Sequence, residues 1–410
     1  MAGSAKGALP GIRVLDLSRV FAGPWAAQML ADFGAEVVKV EHPRGGDDVR
    51  RMGYVQRAAD GTETGQTSSF LAMNRGKRSV ALDMAKPAGG AAVRALAARA
   101  DVVIENFRAG SLGRYGLDYA AVAAANPRVV YCSITGWGQD GPYAALPGYD
   151  AVFQAMSGLM SVTGQPPGAP GEGPVLAGYS VSDVNAGFYA AIAILAALHH
   201  RDAVSGRGQH VDLALLDGQV AAHSHVAMNW LVSGRVPVAA GAASQINVPW
   251  QAFATADRPL MVTIGNDRQF AAFCATLGIP EVAADPRFRN NRERMANKPA
   301  LLALLEPALL ARPAAEWMGL LNDAGVSSGP INDFAAAAED PQIRHRRVFR
   351  EMPDPRAGTF RYVANPLRFS DTPVVEERPP PHHGEHTGEV LRDLLGYDEA
   401  AVGAVLAENG

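Results

Sequence analysis

The chain has 410 residues, which at about 150 residues per domain corresponds to two or three domains. Apolar residues make up 48% and charged residues 19%, a balance that excludes a disordered chain, and the longest apolar run, residues 186–198, is short for a membrane span. With 37 Lys and Arg against 41 Asp and Glu the net charge is −4, so no global basic field draws the chain to nucleic acid or anionic lipid.

The N-terminal half alternates strand and helix. Gly11-Ile-Arg-Val-Leu-Asp-Leu17 reads as a strand, Gly23-Pro24 opens a helix with proline in its first turn, and Glu36-Val-Val-Lys-Val40 is the next strand. Residues 87–100 form an Ala-rich helix, followed by strands Asp101-Val-Val-Ile-Glu105 and Arg128-Val-Val-Tyr-Cys-Ser-Ile134. This spacing predicts a parallel sheet wound with helices. A long helix covers residues 183–201, then come the strand Gln209-His-Val-Asp-Leu-Ala-Leu215 and a helical stretch from Leu216. From about residue 226 a Gly/Ala/Ser linker leads to Trp250-Gln-Ala-Phe-Ala-Thr and Leu260-Met-Val-Thr-Ile264, an antiparallel hairpin, with helices dominating to about residue 325. The expected division is a large α/β domain over residues 1–225, a smaller α+β domain over 226–334, and a C-terminal part, 335–410, returning to the large domain. The first ten residues carry no hydrophobic segment of a secretory signal, and Cys132 and Cys274 lie in apolar stretches as buried thiols of a reducing compartment. A soluble, cytoplasmic protein is expected.

Two local patterns are set aside. Gly136-Trp-Gly-Gln-Asp-Gly141 fits the dinucleotide fingerprint, but Pro142 and Pro147 oppose a helix there and Asp140 would face the pyrophosphate. His223-Ser-His225 and His382-His-Gly-Glu-His386 have metal-ligand residue types, but neither has a cysteine partner, and the first reads as a satisfied or buried histidine pair on an apolar helical stretch. The second reads as a solvated turn after Pro379–Pro381, with Thr387 capping the final helix. No metal is expected.

Asp183 lies in Gly178-Tyr-Ser-Val-Ser-Asp-Val-Asn-Ala-Gly187, just ahead of an apolar helix. A carboxylate there can cap the helix. It can also stay ionised in the field of the helix N-terminus and serve as a covalent nucleophile. The residues alone leave both open.

An ordered series of motifs then runs from one end of the chain to the other: Leu15-Asp-Leu-Ser-Arg-Val-Phe-Ala-Gly-Pro24, Asp32-Phe-Gly-Ala-Glu-Val-Val-Lys-Val-Glu41, Asn74-Arg-Gly-Lys-Arg-Ser79, Ala100-Asp-Val-Val-Ile-Glu-Asn-Phe107, Thr135-Gly-Trp-Gly-Gln-Asp-Gly-Pro142, Ser205-Gly-Arg-Gly-Gln-His-Val-Asp212 and Gly384-Glu-His-Thr387. In these the chain resembles the family III CoA-transferases, a group that includes formyl-CoA:oxalate transferase, carnitine CoA-transferase and the α-methylacyl-CoA racemases. The resemblance implies an interlocked homodimer whose large domain binds CoA on a Rossmann-type sheet. It implies Asp183 as the nucleophile of acyl-anhydride and aspartyl-CoA thioester intermediates, with acyl-CoA and a carboxylic acid as substrates and no tightly bound cofactor. It places CoA contacts at Phe21, Ala22, His42, Leu82, Asp83, Met84, Asn106, Phe107 and Arg114. His42 and Ala85 stand where the oxalate-type enzyme has arginine and lysine, so Lys86 or Arg44 is expected to supply charge to the CoA phosphates.

The family also contains a racemase, which needs a histidine base and an acidic partner. The matching positions here are Tyr149 and Asn266, and a tyrosine with pKa near 10 is a poor base at neutral pH. Gly148-Tyr-Asp-Ala-Val152, Ser157-Gly-Leu-Met160, Val248-Pro-Trp-Gln-Ala-Phe253, Gly329-Pro-Ile-Asn332 and Arg378-Pro-Pro-Pro381 resemble the succinyl-CoA:glutarate (dicarboxylate) subgroup. Tyr149, Asp150 and Gln245, the last in a shortened Gly-rich loop, are the implied substrate-pocket residues. A racemase and a catalytically silent CoA-binding protein are the alternatives.

Overall fold

The computed structural model describes residues 7–376 and 378–409. Residues 1–6, on which part of the leader reading rests, lie outside the described residues. Six strands, β1 (Arg13–Asp16), β2 (Glu36–Glu41), β3 (Lys77–Ala81), β4 (Val102–Glu105), β5 (Val130–Thr135) and β6 (His210–Ala214), form one parallel sheet in the order β3-β2-β1-β4-β5-β6. The connections are helical: α1 (Ala22–Asp32) between β1 and β2, α2 (Pro87–Ala97) between β3 and β4, and α3 (Asp150–Met156) and α4 (Val181–His200) between β5 and β6. After β6 come α5 (Leu215–Ala222) and α6 (Ser224–Ser233), and α7 (Thr387–Leu395) and α8 (Glu399–Asn409) close the chain.

Parallel strands buried on both faces read as apolar runs, and each face has its own core. On one, Val14, Val37, Val102 and Ile104 pack against Ala26 and Leu30 of α1 and Ala186, Ala190 and Ile194 of α4. On the other, Leu15, Val38 and Val103 pack against Val93 and Leu96 of α2, Val390 and Leu391 of α7, and Val402 and Val405 of α8. Sequential strands run outward from β1 in both directions, so the loops leaving β1 and β4 diverge at the carboxyl edge. In such sheets that is where ligands bind.

The sequence expectation missed β3. Its residues, Lys77-Arg-Ser-Val-Ala81, are mostly polar, yet Lys77 is 1% exposed. The Lys77 ammonium donates to Asp16 Oδ2, Asn74 Oδ1 and the Pro24 carbonyl, each at 2.9 Å, so a charge that hides the strand in the sequence is fully partnered in the fold. The segment 382–386 is not a solvated turn either. It docks on β3: Gly384 N donates to Ser79 Oγ at 2.9 Å and His386 N to Ser79 O at 2.9 Å. Thr387 does not cap α7; its hydroxyl accepts from Ala81 N and donates to Gly384 O.

The chain divides into two compact units. The first comprises residues 1–159, 176–235 and 344–410, and the second residues 160–175 and 236–343. The boundaries expected at 225/226 and 334/335 thus lie about ten residues early, and 160–175 groups with the second unit. That unit is an antiparallel sheet of β7 (Trp250–Phe253), β8 (Leu260–Thr263) and β9 (Ser327–Pro330), with helices carrying Phe270, Phe273, Leu301, Leu305 and Trp317 into its core. Residues 181–205 are long and apolar enough to cross a membrane by composition; in the fold α4 is a core helix packed on α1.

Candidate active site

The carboxyl edge of the sheet is fixed by buried charges. Lys39 donates to the Ser18 carbonyl at 2.8 Å and pairs with Asp47 at 2.9 Å, all inside the protein. Burial works against its charge, but Asp47 and Asp16 hold it above the usual lysine range. Asp47 Oδ1 accepts the Val20 amide at 3.0 Å. Val20 has φ 67°, a backbone strained for a β-branched residue, and the network holds it there. Between them, Asn106 binds both backbone groups of Arg19: Nδ2 donates to Arg19 O at 2.6 Å and Oδ1 accepts from Arg19 N at 2.8 Å. Every residue of the β1–α1 loop from Ser18 to Val20 is thereby clamped. Glu41 closes the rim: burial opposes its ionisation, yet the Arg50 fork at 2.6 and 2.7 Å holds it down to about 2.

This rim surrounds a cleft lined by residues at and just past the ends of β1, β2, β3 and β4. His42, Leu82, Asp83, Met84, Phe107 and Arg114, six of the implied CoA contacts, all face it. Asn106 does not; its amide is consumed by Arg19, which makes it a brace of the cleft rather than a wall. Phe21 and Ala22 are also absent from the lining, since they form the N-cap and first residue of α1, where Ala22 is buried. Neither Lys86 nor Arg44, expected to supply charge to the CoA phosphates, is among the residues lining the cleft, although both are exposed. Lys86 is the N-cap of α2 and Arg44 N donates to His42 Nδ1, whereas Arg19 lines the cleft with its guanidinium 4.9 Å from the Phe107 ring. Arg19, Asp47, Ser111 and Tyr115 are lining residues that sequence reasoning missed. Arg19 and Asp47 lie inside or beside quoted motifs, and that position was the available signal.

Asp183 sits at the third position of α4. The second turn of α4 touches the first turn of α1: a Cβ on Gly187 would lie 2.9 Å from Trp25 Cδ1 and 3.0 Å from Ala22 O, so only glycine lets the helices approach this closely. Asp183 is therefore on the same edge of the sheet as the cleft. It does not cap its helix. The N-cap is Ser180, with no side-chain bond, and the free amides are taken from a distance: Asp150 Oδ1 accepts from Ser182 N at 2.7 Å and Asp183 N at 3.3 Å. Gln154, one turn on in α3, donates to Asp150 Oδ2 at 2.6 Å. Among the described residues no donor reaches the Asp183 carboxylate. Burial, and next the charge of Asp150, push its pKa up to about 7 rather than letting the helix field depress it.

Asp150, implied as a substrate-pocket residue, is partly exposed and caps α4 through these bonds. Tyr149 is 75% exposed beside it. Gln245 belongs to the second unit, where its amide donates to the Val238 carbonyl. Asn266, at the position of the racemase acid, caps the helix Asp267–Thr276 by accepting from Gln269 N at 2.9 Å. His223 contacts the Ser157 carbonyl through Nε2 at 3.1 Å. Among the described residues no group of three His, Cys, Asp or Glu is placed to hold a metal.

Residues 9–387 match the family model of CoA-transferase family III. Over 395 residues the chain is 44% identical to succinate–glutarate CoA-transferase of Agrobacterium fabrum, covering 96% of this chain and 97% of that one. It is 38% identical over 401 residues to the human succinyl-CoA:glutarate CoA-transferase, covering 97% and 89% respectively. The crystal structure of a CAIB/BAIF family protein from Brucella suis superposes with a TM-score of 0.85 at 39% identity, over 95% of this chain and 100% of that one.

Proposed function

From the premise that this chain belongs to CoA-transferase family III, we propose that it moves CoA from succinyl-CoA to a second carboxylic acid, a dicarboxylate, with Asp183 as the covalent nucleophile. The observation that carries the reading is the Asp183 carboxylate itself, half-buried and without a donor beside the carboxyl edge of the sheet. A carboxylate deprived of solvation and hydrogen bonds is more basic and more nucleophilic than one in water. The choice of succinyl-CoA and a dicarboxylate is supported by the names of the relatives.

The ionised Asp183 adds to the donor thioester carbonyl; the C–S bond breaks, giving an acyl-aspartyl anhydride and CoA thiolate. The thiolate adds to the aspartyl carbonyl and expels the donor carboxylate, leaving an aspartyl-CoA thioester. The acceptor carboxylate attacks that thioester and frees the thiolate, which then takes the acceptor acyl group and returns Asp183 as a carboxylate. Each step exchanges one acyl bond for another, so the sequence needs no ATP. Its intermediates hydrolyse unless water is kept away. The cleft at the ends of β1–β4 holds the CoA body, with Arg19, Arg114 and His42 as its cationic or ionisable groups. The doubly wound strand order fits a Rossmann-type domain used for CoA.

The assembly we assign is an interlocked homodimer. Its support is the apolar exposure of two helices: Phe188 and Ile192 on α4, and Trp230, Leu231 and Val232 on α6, with exposures of up to 81%. A cytoplasmic site, supported by two buried free thiols, completes the reading. Incubating the protein with succinyl-CoA and a panel of carboxylic acids tests it: acyl-CoA products from dicarboxylates are expected, and turnover confined to monocarboxylates would remove the substrate assignment.

A further inference from the structure

The nucleophile's surroundings contain a second carboxylate that the reaction steps do not use. Asp150 lies 33 residues before Asp183, on another helix. Its Oδ1 binds two amides of the first turn of α4, and its Oδ2 is bound by Gln154. Gln154 is 1% exposed and makes further contacts: Oε1 accepts from Ala177 N at 2.9 Å and Nε2 lies 3.4 Å from the Tyr179 carbonyl. One side chain thus fixes both the cap of α4 and the segment that delivers the chain into it. Of the neighbours of this turn, α1 presents Trp25 and α5 presents Gln219, which accepts from Asn185 at 3.1 Å; both are uncharged. Tyr149 and Tyr179 flank the pair in the chain, and Asp150 is the charge that bears on Asp183.

We propose that Asp150 and Gln154 are positioning residues of the transferase reaction: Asp150 caps the nucleophile's helix while laying a like charge against the nucleophile, and Gln154 locks Asp150 and residues 177–179 in register. A neutral cap would hold the helix equally well. A carboxylate there does a second thing, keeping Asp183 a poorly stabilised and therefore reactive anion. The cost is a fraction of Asp183 that stays protonated near neutrality. The proposal rests on the reading of Asp183 as the nucleophile.

The test is the pH dependence of kcat/KM for succinyl-CoA in the full-length protein and in Asp150→Asn, Asp150→Ala and Gln154→Leu. Asp150→Asn keeps an accepting oxygen for the α4 amides and removes the charge, so the acid limb is expected to move down by about one pH unit while the plateau stays within about tenfold. Asp150→Ala and Gln154→Leu remove cap and lock; kcat is expected to fall about 100-fold with KM for succinyl-CoA little changed, because the cleft walls are elsewhere. If the Ala and Leu variants do not fold, the limb of Asp150→Asn decides. An unshifted limb in Asp150→Asn, or Ala and Leu variants within twofold of wild-type kcat, overturns the proposal. Asp183→Asn run alongside separates the two readings. If it is inactive while the Asp150 variants behave as wild type, only the positioning role falls; if it still transfers CoA, the nucleophile reading falls first.

Discussion

Asp150 Oδ1 accepts the backbone amide of Asp183 at 3.3 Å, so the two carboxylates share one helix N-terminus from two different elements. One acid is spent on the backbone and the other is left without a donor. That division of labour lets Asp183 be altered without unfolding its helix.

Asp183→Asn should therefore retain a wild-type melting temperature at pH 4 and lose transfer activity by several orders of magnitude, because an amide cannot form the anhydride. Above pH 7 the variant should be the more stable protein. The raised carboxyl binds its proton more tightly folded than unfolded, so its favourable contribution is complete below about pH 4 and is lost as pH rises toward 7. Thermal melts of both proteins from pH 4 to 8 check this: the curves should diverge as pH rises.

Glu105 offers an independent case of the same sign. Burial pushes this carboxyl at the end of β4 up to about 7, although the Phe107 amide donates to it at 2.8 Å. Glu105→Gln keeps an accepting oxygen and should raise the melting temperature at pH 8 while leaving it unchanged at pH 4.5. A loss of stability at pH 8 would show that the ionised form is favoured by the fold.

Arg114→Ala should raise KM for succinyl-CoA about tenfold with kcat nearly unchanged, the pattern of lost uniform binding. Asn106→Ala acts through the loop that it clamps, freeing both backbone groups of Arg19. It should lower kcat as well as raise KM. Steady-state kinetics on the two variants distinguish wall from brace.

Gly187→Ala introduces a Cβ that would meet Trp25 and the Ala22 carbonyl. It should cost about 1–3 kcal/mol in stability by overpacking and displace the nucleophile's helix from α1, with a drop in kcat. A variant with wild-type stability and turnover would show that the α1–α4 contact yields freely.

The sequence made the apolar strands legible because Val, Ile and Leu runs between helices have one common solution, and β1, β2, β4, β5 and β6 lie within a few residues of their expected spans. It hid β3, whose Lys77 and Arg78 look solvated until Asp16, Asn74, Glu36 and Asp393 are brought to them. It also hid β9, formed by Ser327–Pro330, which has little strand propensity and is recruited by pairing with β8. At the site, the family resemblance pointed to Asp183 and to six residues that the fold gathers along one cleft. The Asp150 cap and the Asn106 clamp were not readable, because each joins residues that only the tertiary fold brings together. Asp150 illustrates this: the sequence shows an acid beside Tyr149, and only the fold brings the α4 amides and Gln154 to its two oxygens.

The most direct test of the account is to trap the enzyme during turnover. Incubation with succinyl-CoA and hydroxylamine, followed by peptide mass spectrometry, should place a hydroxamate on Asp183 in the wild-type protein and none in Asp183→Asn, with loss of activity tracking the modification. Transfer of CoA by a folded Asp183→Asn variant, or full inactivation with no hydroxamate at Asp183, would contradict it.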